Sequence, residues 1–342
     1  MTSEWWKSTK FYAAVFICTY GILFFILGLV FKRVFGIVVA ATAIVLLVDP
    51  MGRFFQKVVK NRRASIVLAL VVFYSFLVLV TVTLTPSILK ESNALITVMR
   101  DFFEKQPWEE LKLFREYPNL KDIVSNLAQA IEPKLVDLAT GFLTQLPGQI
   151  PGVISFIFFA VLCSVYGAFY IEQVRQSLKI FFPRRTREDV GRFVELTYIS
   201  LQRYIVAVTV TAIFTAISMG TFLKIAGIDY YLTLGAWAFL TNYIPIVGVF
   251  LEMIPMLVVV IPAGASLLVW FLVITLVVHG TAFVIFLKIM YGYSRLNPII
   301  MILAIILVTE LFGVAGAFIA VPIAIVARDY WMEFVKPFFE KA

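Results

Sequence analysis

Three ionisable side chains stand inside apolar runs in the later part of the chain: Glu252, His279 and Glu310. A charged group at bilayer depth is costly. Such residues are expected to face the interior of a helix bundle, to pair with one another or with backbone, and to mark a pathway. Histidine titrates near neutrality in its ordinary state and burial raises a glutamate towards the same range, so Glu252, His279 and Glu310 form a candidate proton relay. The plainer alternative is that each is neutral and hydrogen-bonded to a neighbouring helix.

A second source of chemistry is interrupted backbone. The stretch NYIPIVGVFLEMIP, Asn242 to Pro255, carries Pro245, Gly248 and Pro255 within an apolar run, and Pro262 follows. Proline removes a backbone donor and clashes with the carbonyl four residues back, so a continuous helix is not expected there. The freed groups need water, side chains or solute, which Asn242, Thr241 and Glu252 can partly supply. A second interrupted run opens with SRLNPIIM, at Asn297-Pro298, and closes with GVAGAFIAVPIAIV, which holds Gly313, Gly316 and Pro322. Two apolar segments broken by Gly and Pro are the sequence pointer to a transporter site near the midplane. For Gly316, Ala320 and Ala324, spaced by four, close helix packing is the preferred reading.

The elements that must position these residues are membrane helices. Hydrophobic residues make up 61% of the chain and charged ones 15%, against about a quarter in soluble domains. Mean hydropathy is +0.96. The fold class is therefore all-α, a polytopic membrane protein. A bilayer core about 30 Å thick needs about 20 apolar residues per helix. Eight transmembrane or re-entrant segments are expected, near 11–31, 34–48, 64–88, 150–170, 204–226, 232–260, 265–287 and 298–327. The second is short, and the sixth is too long for one straight helix. The first is too long for a signal-peptide core and is expected to remain as a span.

Lysine and arginine collect in two short segments, with five from Arg53 to Arg63 and seven from Arg175 to Arg203. The positive-inside rule places these, and both termini, in the cytoplasm, with Lys32 and Arg33 on the wrong side. Between spans three and four, residues 89–150 form an extracytoplasmic segment. Val124, Leu127, Ile131, Leu135, Leu138 and Phe142 recur there at steps of three and four, which predicts an amphipathic helix. Gln106-Pro107, Tyr117-Pro118 and Glu132-Pro133 are expected to divide it into pieces. The chain thus divides into N-terminal membrane helices (1–88), the amphipathic segment (89–150), a fourth span with a basic loop (151–203), a core with broken helices (204–328) and a cytoplasmic tail (329–342).

Several function classes are disfavoured. Cys18 and Cys163 both lie in apolar runs, and one histidine admits no His-pair zinc motif, so neither a metal site nor a cofactor is expected. The acids are spread over separate runs with no nucleophile-base motif beside them, which argues against an enzyme. The net charge of +8 clusters at span ends, so nucleic acid is not an expected partner. Membrane lipids are, and the basic loop KIFFPRRTREDV offers itself to anionic headgroups.

NYIPIVG with Pro255, LKIM with Gly292, RLNP, and FGVAGAFIAVP stand in this order, and at these residues the sequence resembles the autoinducer-2 exporter (AI-2E) family of bacterial permeases. The resemblance covers nearly the whole chain. It implies an inner-membrane transporter, a homo-oligomer of pentameric order, with a mobile transport unit in the C-terminal half. Some relatives look like exporters of autoinducer-2 and others like sodium/proton antiporters. Asn242, Pro245, Gly248, Pro255, Lys288, Asn297, Pro298, Gly313, Gly316 and Pro322 match the family pattern by position. Leu287 departs from it where a proline is common, Tyr291 is an extra residue, and Glu252 stands at a position usually small and apolar.

The sequence therefore predicts a permease for a small polar solute, working by alternating access with an elevator-like movement. Its expected solute or ion site is Asn242, Pro245, Gly248, Glu252, Lys288, Asn297, Pro298 and Glu310, with hinges at Pro245, Gly248, Pro255, Gly313, Gly316 and Pro322. The rival within transport is cation/proton antiport through Glu252, His279 and Glu310. A non-transporting membrane scaffold is the other, in which changes at Asn242, Glu252 and Asn297 would be silent.

Overall fold

The computed structural model describes residues 8–110, 118–291 and 297–339, and every described element among them is helical. Among the described residues, seven helices are long and apolar enough to cross a membrane. Helix α1 (Thr9–Val30) is capped by Ser8, whose hydroxyl accepts from the amide of Phe11, and gives way at Phe31 to α2 (Lys32–Val59). The second segment was expected to be short. It continues instead through Asp49 and Pro50, because the Asp49 carboxylate is satisfied by Tyr198, Gln202 and Arg53.

Helix α3 (Arg62–Lys105) starts behind Asn61, whose side chain accepts from the amides of Arg63 and Ala64. It ends at Gln106, which adopts a left-handed φ of 47° just before Pro107. Helix α4 (Pro118–Leu178) begins on a proline, where the missing N–H costs nothing. Pro133 lies within α4, so Glu132-Pro133 does not end the helix as expected. One carbonyl loses its partner, and an exposed position tolerates that. Tyr117 and the side chains of Val124, Leu127, Ile131, Leu135, Leu138 and Phe142 lie outside the described set.

Helix α5 (Arg187–Ile225) is followed by two short apolar helices, α6 (Tyr231–Thr241) and α7 (Val247–Val260), and then by α8 (Ala265–Ile289). Another pair closes the chain: α9 (Pro298–Phe312) and α10 (Val314–Tyr330), joined through Gly313 alone, with a π turn from Trp331 to Val335 beyond. The sixth and eighth apolar runs of the sequence are each two helices. A helix of 11 residues rises about 16 Å and one of 14 about 21 Å, well short of the hydrocarbon core.

The chain forms two compact units. One comprises Met1–Ser75, Ile154–Ala207 and Leu287–Ala342, the other Phe76–Val153 and Val208–Phe286. In the first, Val48, Ile66 and Ala168 pack α2, α3 and α4 together, while Ala13, Val190 and Phe334 join α1, α5 and the C-terminal turn. In the second, Leu95, Met99 and Phe103 of α3 enter one core with Met219 of α5, Leu234 of α6, Met256 of α7 and Phe271 of α8. The last turns of α3 thus pack directly on the short helices. Glu91 reinforces this: its carboxylate accepts from both the amide (3.0 Å) and the hydroxyl (2.6 Å) of Thr233, in the first turn of α6. A carboxylate there satisfies amide donors that a helix start leaves open.

Candidate functional site

The α6–α7 turn is built from Asn242 to Ile246. Ile244 N–H donates to Thr241 O (2.9 Å), Gly248 N–H to Ile244 O (2.7 Å), and Val247 N–H to Pro245 O (2.7 Å). The last of these closes a three-residue γ-turn on Ile246, whose φ of 68° and ψ of −59° are strained for a β-branched residue. Gly248 then brings the two helices into contact. A Cβ on it would lie 2.1 Å from the carbonyl oxygen of Thr241, so no other residue fits without opening the turn.

The α9–α10 pair repeats the device. A Cβ on Gly316 would lie 2.1 Å from the carbonyl oxygen of Val308. Gly313, the joint, has φ 65° and ψ −151°, a region open only to glycine. Pro298 does not break this helix but opens it at the first position, behind Asn297, whose side chain accepts from the amide of Ile299 (2.9 Å). Pro255 and Pro322 sit inside α7 and α10 without ending them. The expectation that Pro245, Gly248 and Pro298 leave main-chain groups free is therefore corrected in part. The amides of Ile244, Val247 and Gly248 are bonded within the turn, and Pro298, as the first residue of α9, costs that helix no hydrogen bond.

What the first pair presents instead is a buried carboxylate. Glu252, in the second turn of α7, is 0% exposed. Its Oε2 accepts from Asn242 Nδ2 at 2.7 Å, and the same amide nitrogen donates to Ala238 O at 2.7 Å. His279 of α8 brings Nε2 to 3.4 Å from the same carboxylate oxygen, near enough for an ion pair though not aligned as a hydrogen bond. Glu252 Oε1 is buried and has no partner among the described residues. One turn before His279, the hydroxyl of Thr275 is also buried and without a partner among the described residues. A carboxylate with one oxygen anchored and the other open, beside an imidazole, can hold a proton or a small monovalent cation.

The structure thus brings together Asn242, Glu252 and His279, with Pro245, Gly248 and Pro255 supporting them, all in one unit. Lys288, Asn297, Pro298 and Glu310 belong to the other. Glu310 is exposed, three residues before Gly313, and not in a bundle interior as expected. A carboxylate at the end of a short helix reaches the tip, where it escapes burial. Lys288 is exposed at the end of α8. Gly292 and Arg295 lie outside the described residues. Among those residues no three His, Cys, Asp or Glu side chains are grouped to hold a metal ion.

Sequence reasoning missed Trp237 and Thr275. Both read as ordinary components of an apolar run, and only their placement against Leu251 and His279 gives them weight.

Comparison with known proteins bears on this arrangement. The family model described as AI-2E family transporter matches residues 13–336. Two proteins of Thermotoga maritima, both named "Putative transport protein", are similar along nearly their whole length. One is 29% identical over 328 residues, covering 96% of this chain and 96% of the relative. The other is 22% identical over 332 residues, covering 94% and 97%.

Proposed function

The chain belongs to the AI-2E transporter family, and on that premise we propose that it is a permease of the bacterial inner membrane whose coupling site is Glu252 with Asn242 and His279. The cargo in this reading is a small polar solute, with autoinducer-2 as one candidate, carried by alternating access in an elevator-like movement. The observation that supports it is the fully buried Glu252, held on a helix too short to cross the bilayer and with one oxygen open. An acid so placed is expensive unless it does work.

In this proposal α6–α7 and α9–α10 are re-entrant hairpins, although α10 with its π turn (Val314–Val335) is long enough to cross, while α1, α2, α3, α4, α5 and α8 cross. An even number of crossings returns the chain to its starting side. The basic segments 53–63 and 175–203 put that side, and both termini, in the cytoplasm. Lys288 and Arg295 then join the cytoplasmic side too, where eight full passes would have left them outside. That strengthens the charge asymmetry.

The test is flux in vesicles. Glu252→Gln keeps the Asn242 contact available and is expected to assemble normally while losing proton- or cation-coupled transport. Unchanged transport with unchanged pH dependence would remove Glu252 from the mechanism. The open Oε1 of Glu252, in a carboxylate whose other oxygen lies 3.4 Å from His279, also favours a second reading, sodium/proton antiport, with Glu252 and His279 as the exchanging groups. Sodium-dependent proton flux without any organic solute separates the two. Assembly as a homo-oligomer, a pentamer in particular, is part of the same proposal.

A further inference from the structure

Away from that cluster, in the first unit, a cavity of about 240 Å³ opens between the end of α2, the start of α3 and the end of α4. It is lined by Asp49, Arg53, Gln56, Arg62, Glu172 and Arg175, with Gly52 and Ile66 completing the wall. The volume is below the roughly 300 Å³ of drug-sized sites and suits a small headgroup.

Its arginines are held from behind. Arg53 Nη2 is bonded to Asp49 (2.6 Å) and to Gln202 Oε1 (2.6 Å). Asp49 Oδ2, which holds Arg53, also accepts from the Tyr198 hydroxyl (2.6 Å) and from Gln202 Nε2 (3.0 Å), so three donors fix that oxygen in place. Arg175 is bonded to Glu195, and its guanidinium carbon lies 4.1 Å over the Tyr198 ring. Tyr198 therefore orders both guanidinium groups, one through its hydroxyl and one through its face.

These contacts leave donors over. Arg175 Nε is buried with no partner among the described residues. Among the described residues Arg62 reaches only Glu172, at 3.4 Å, and Glu172 is 3.7 Å from Arg175. Glu172 is the one loosely held acid of the cavity, with a side chain 40% exposed. Pre-ordered guanidinium forks with unused N–H groups match the geometry of phosphate oxygens. Lys57, Lys60 and Arg63 flank the same turn in sequence and add long-range attraction for anions. Basic pockets at the cytoplasmic ends of membrane helices take phospholipid headgroups by this chemistry.

We propose that this cavity binds a phosphate group, gripped by Arg62 and Arg175 with Arg53 at its edge, and that Glu172 occupies the place which phosphate takes over. The phosphate is supplied either by a lipid headgroup or by a soluble phosphate ester.

The full chain in detergent is melted with inorganic phosphate, with glycerol 3-phosphate and with phosphatidylglycerol in mixed micelles, against sodium chloride at matched ionic strength. At least one phosphate source is expected to raise the midpoint beyond chloride. A rise with phosphatidylglycerol alone assigns the site to lipid, and a rise with the soluble esters assigns it to solute. Arg62→Gln is expected to weaken binding about tenfold, the loss of one charge-assisted contact. Glu172→Gln is expected to tighten it, which a merely structural ion-pair network does not predict. Arg175→Gln adds to the test if it folds, but the exposed Arg62 and Glu172 decide without it. The proposal is overturned if no phosphate source acts beyond chloride, or if the response is the same in wild type, Arg62→Gln and Glu172→Gln.

Discussion

Trp237 donates its indole N–H to the carbonyl of Leu251 at 2.8 Å. Leu251 stands four residues before Pro255, so it is the carbonyl that proline deprives of its helical donor. An indole is a donor without an acceptor, carried on a large apolar body, which makes it suited to closing a backbone gap in hydrocarbon. Trp237→Phe is expected to cost about 1–2 kcal/mol by leaving that carbonyl open. In a Pro255→Ala background the helical amide returns and Trp237→Phe should be nearly silent. Thermal melts of the four proteins complete the cycle, and equal costs in both backgrounds would disprove the pairing.

The glycine contacts make a separate prediction. Gly248→Ala and Gly316→Ala each place a methyl 2.1 Å from a backbone carbonyl oxygen, which cannot move without opening the pair. Each is expected to lower stability by roughly 1–3 kcal/mol and to reduce the yield of folded protein. Gly280 has open space around its Cβ position, so Gly280→Ala serves as the neutral control.

Glu91→Ala removes the acceptor for both Thr233 groups and is expected to destabilise by about 1–2 kcal/mol. Glu91→Gln keeps an acceptor oxygen and should recover most of the loss. Protection of the α6 amides in hydrogen exchange reads the effect at the helix start itself.

His279→Gln preserves size and polarity but removes the imidazole. If His279 exchanges protons with Glu252, transport measured between about pH 5 and 8 should lose much of its pH dependence while the melting point stays close to wild type. A profile that keeps its shape would leave His279 as a packing residue.

The long helices and the two broken regions were legible from apolar run lengths and from Pro and Gly, since both follow from local physics. The bond between Asn242 and Glu252 was not, because it needs the turn at Pro245 to fold back and not merely to break the helix. The place of each break was less legible. Asn297-Pro298 reads equally as an interruption or as a helix start, and the cap that Asn297 places on the amide of Ile299 decides for the start. The partnership of Glu252 with His279 depends on how α8 lies against α7, which no local pattern encodes. Arg53, Arg62 and Arg175 read as topology anchors, since nothing in their spacing tells that Tyr198 orders two of them.

The shortness of α6 and α7 has a consequence for how the protein is made. Neither has enough apolar length to be accepted into a bilayer by itself as a stable crossing. The pair becomes stable only once Thr241 and Gly248 have met and once α3, α5 and α8 are present to receive it. If the pair is re-entrant as proposed, this segment is expected to settle after its neighbours, so that maturation of the second unit ends, rather than begins, with the residues that carry its buried acid.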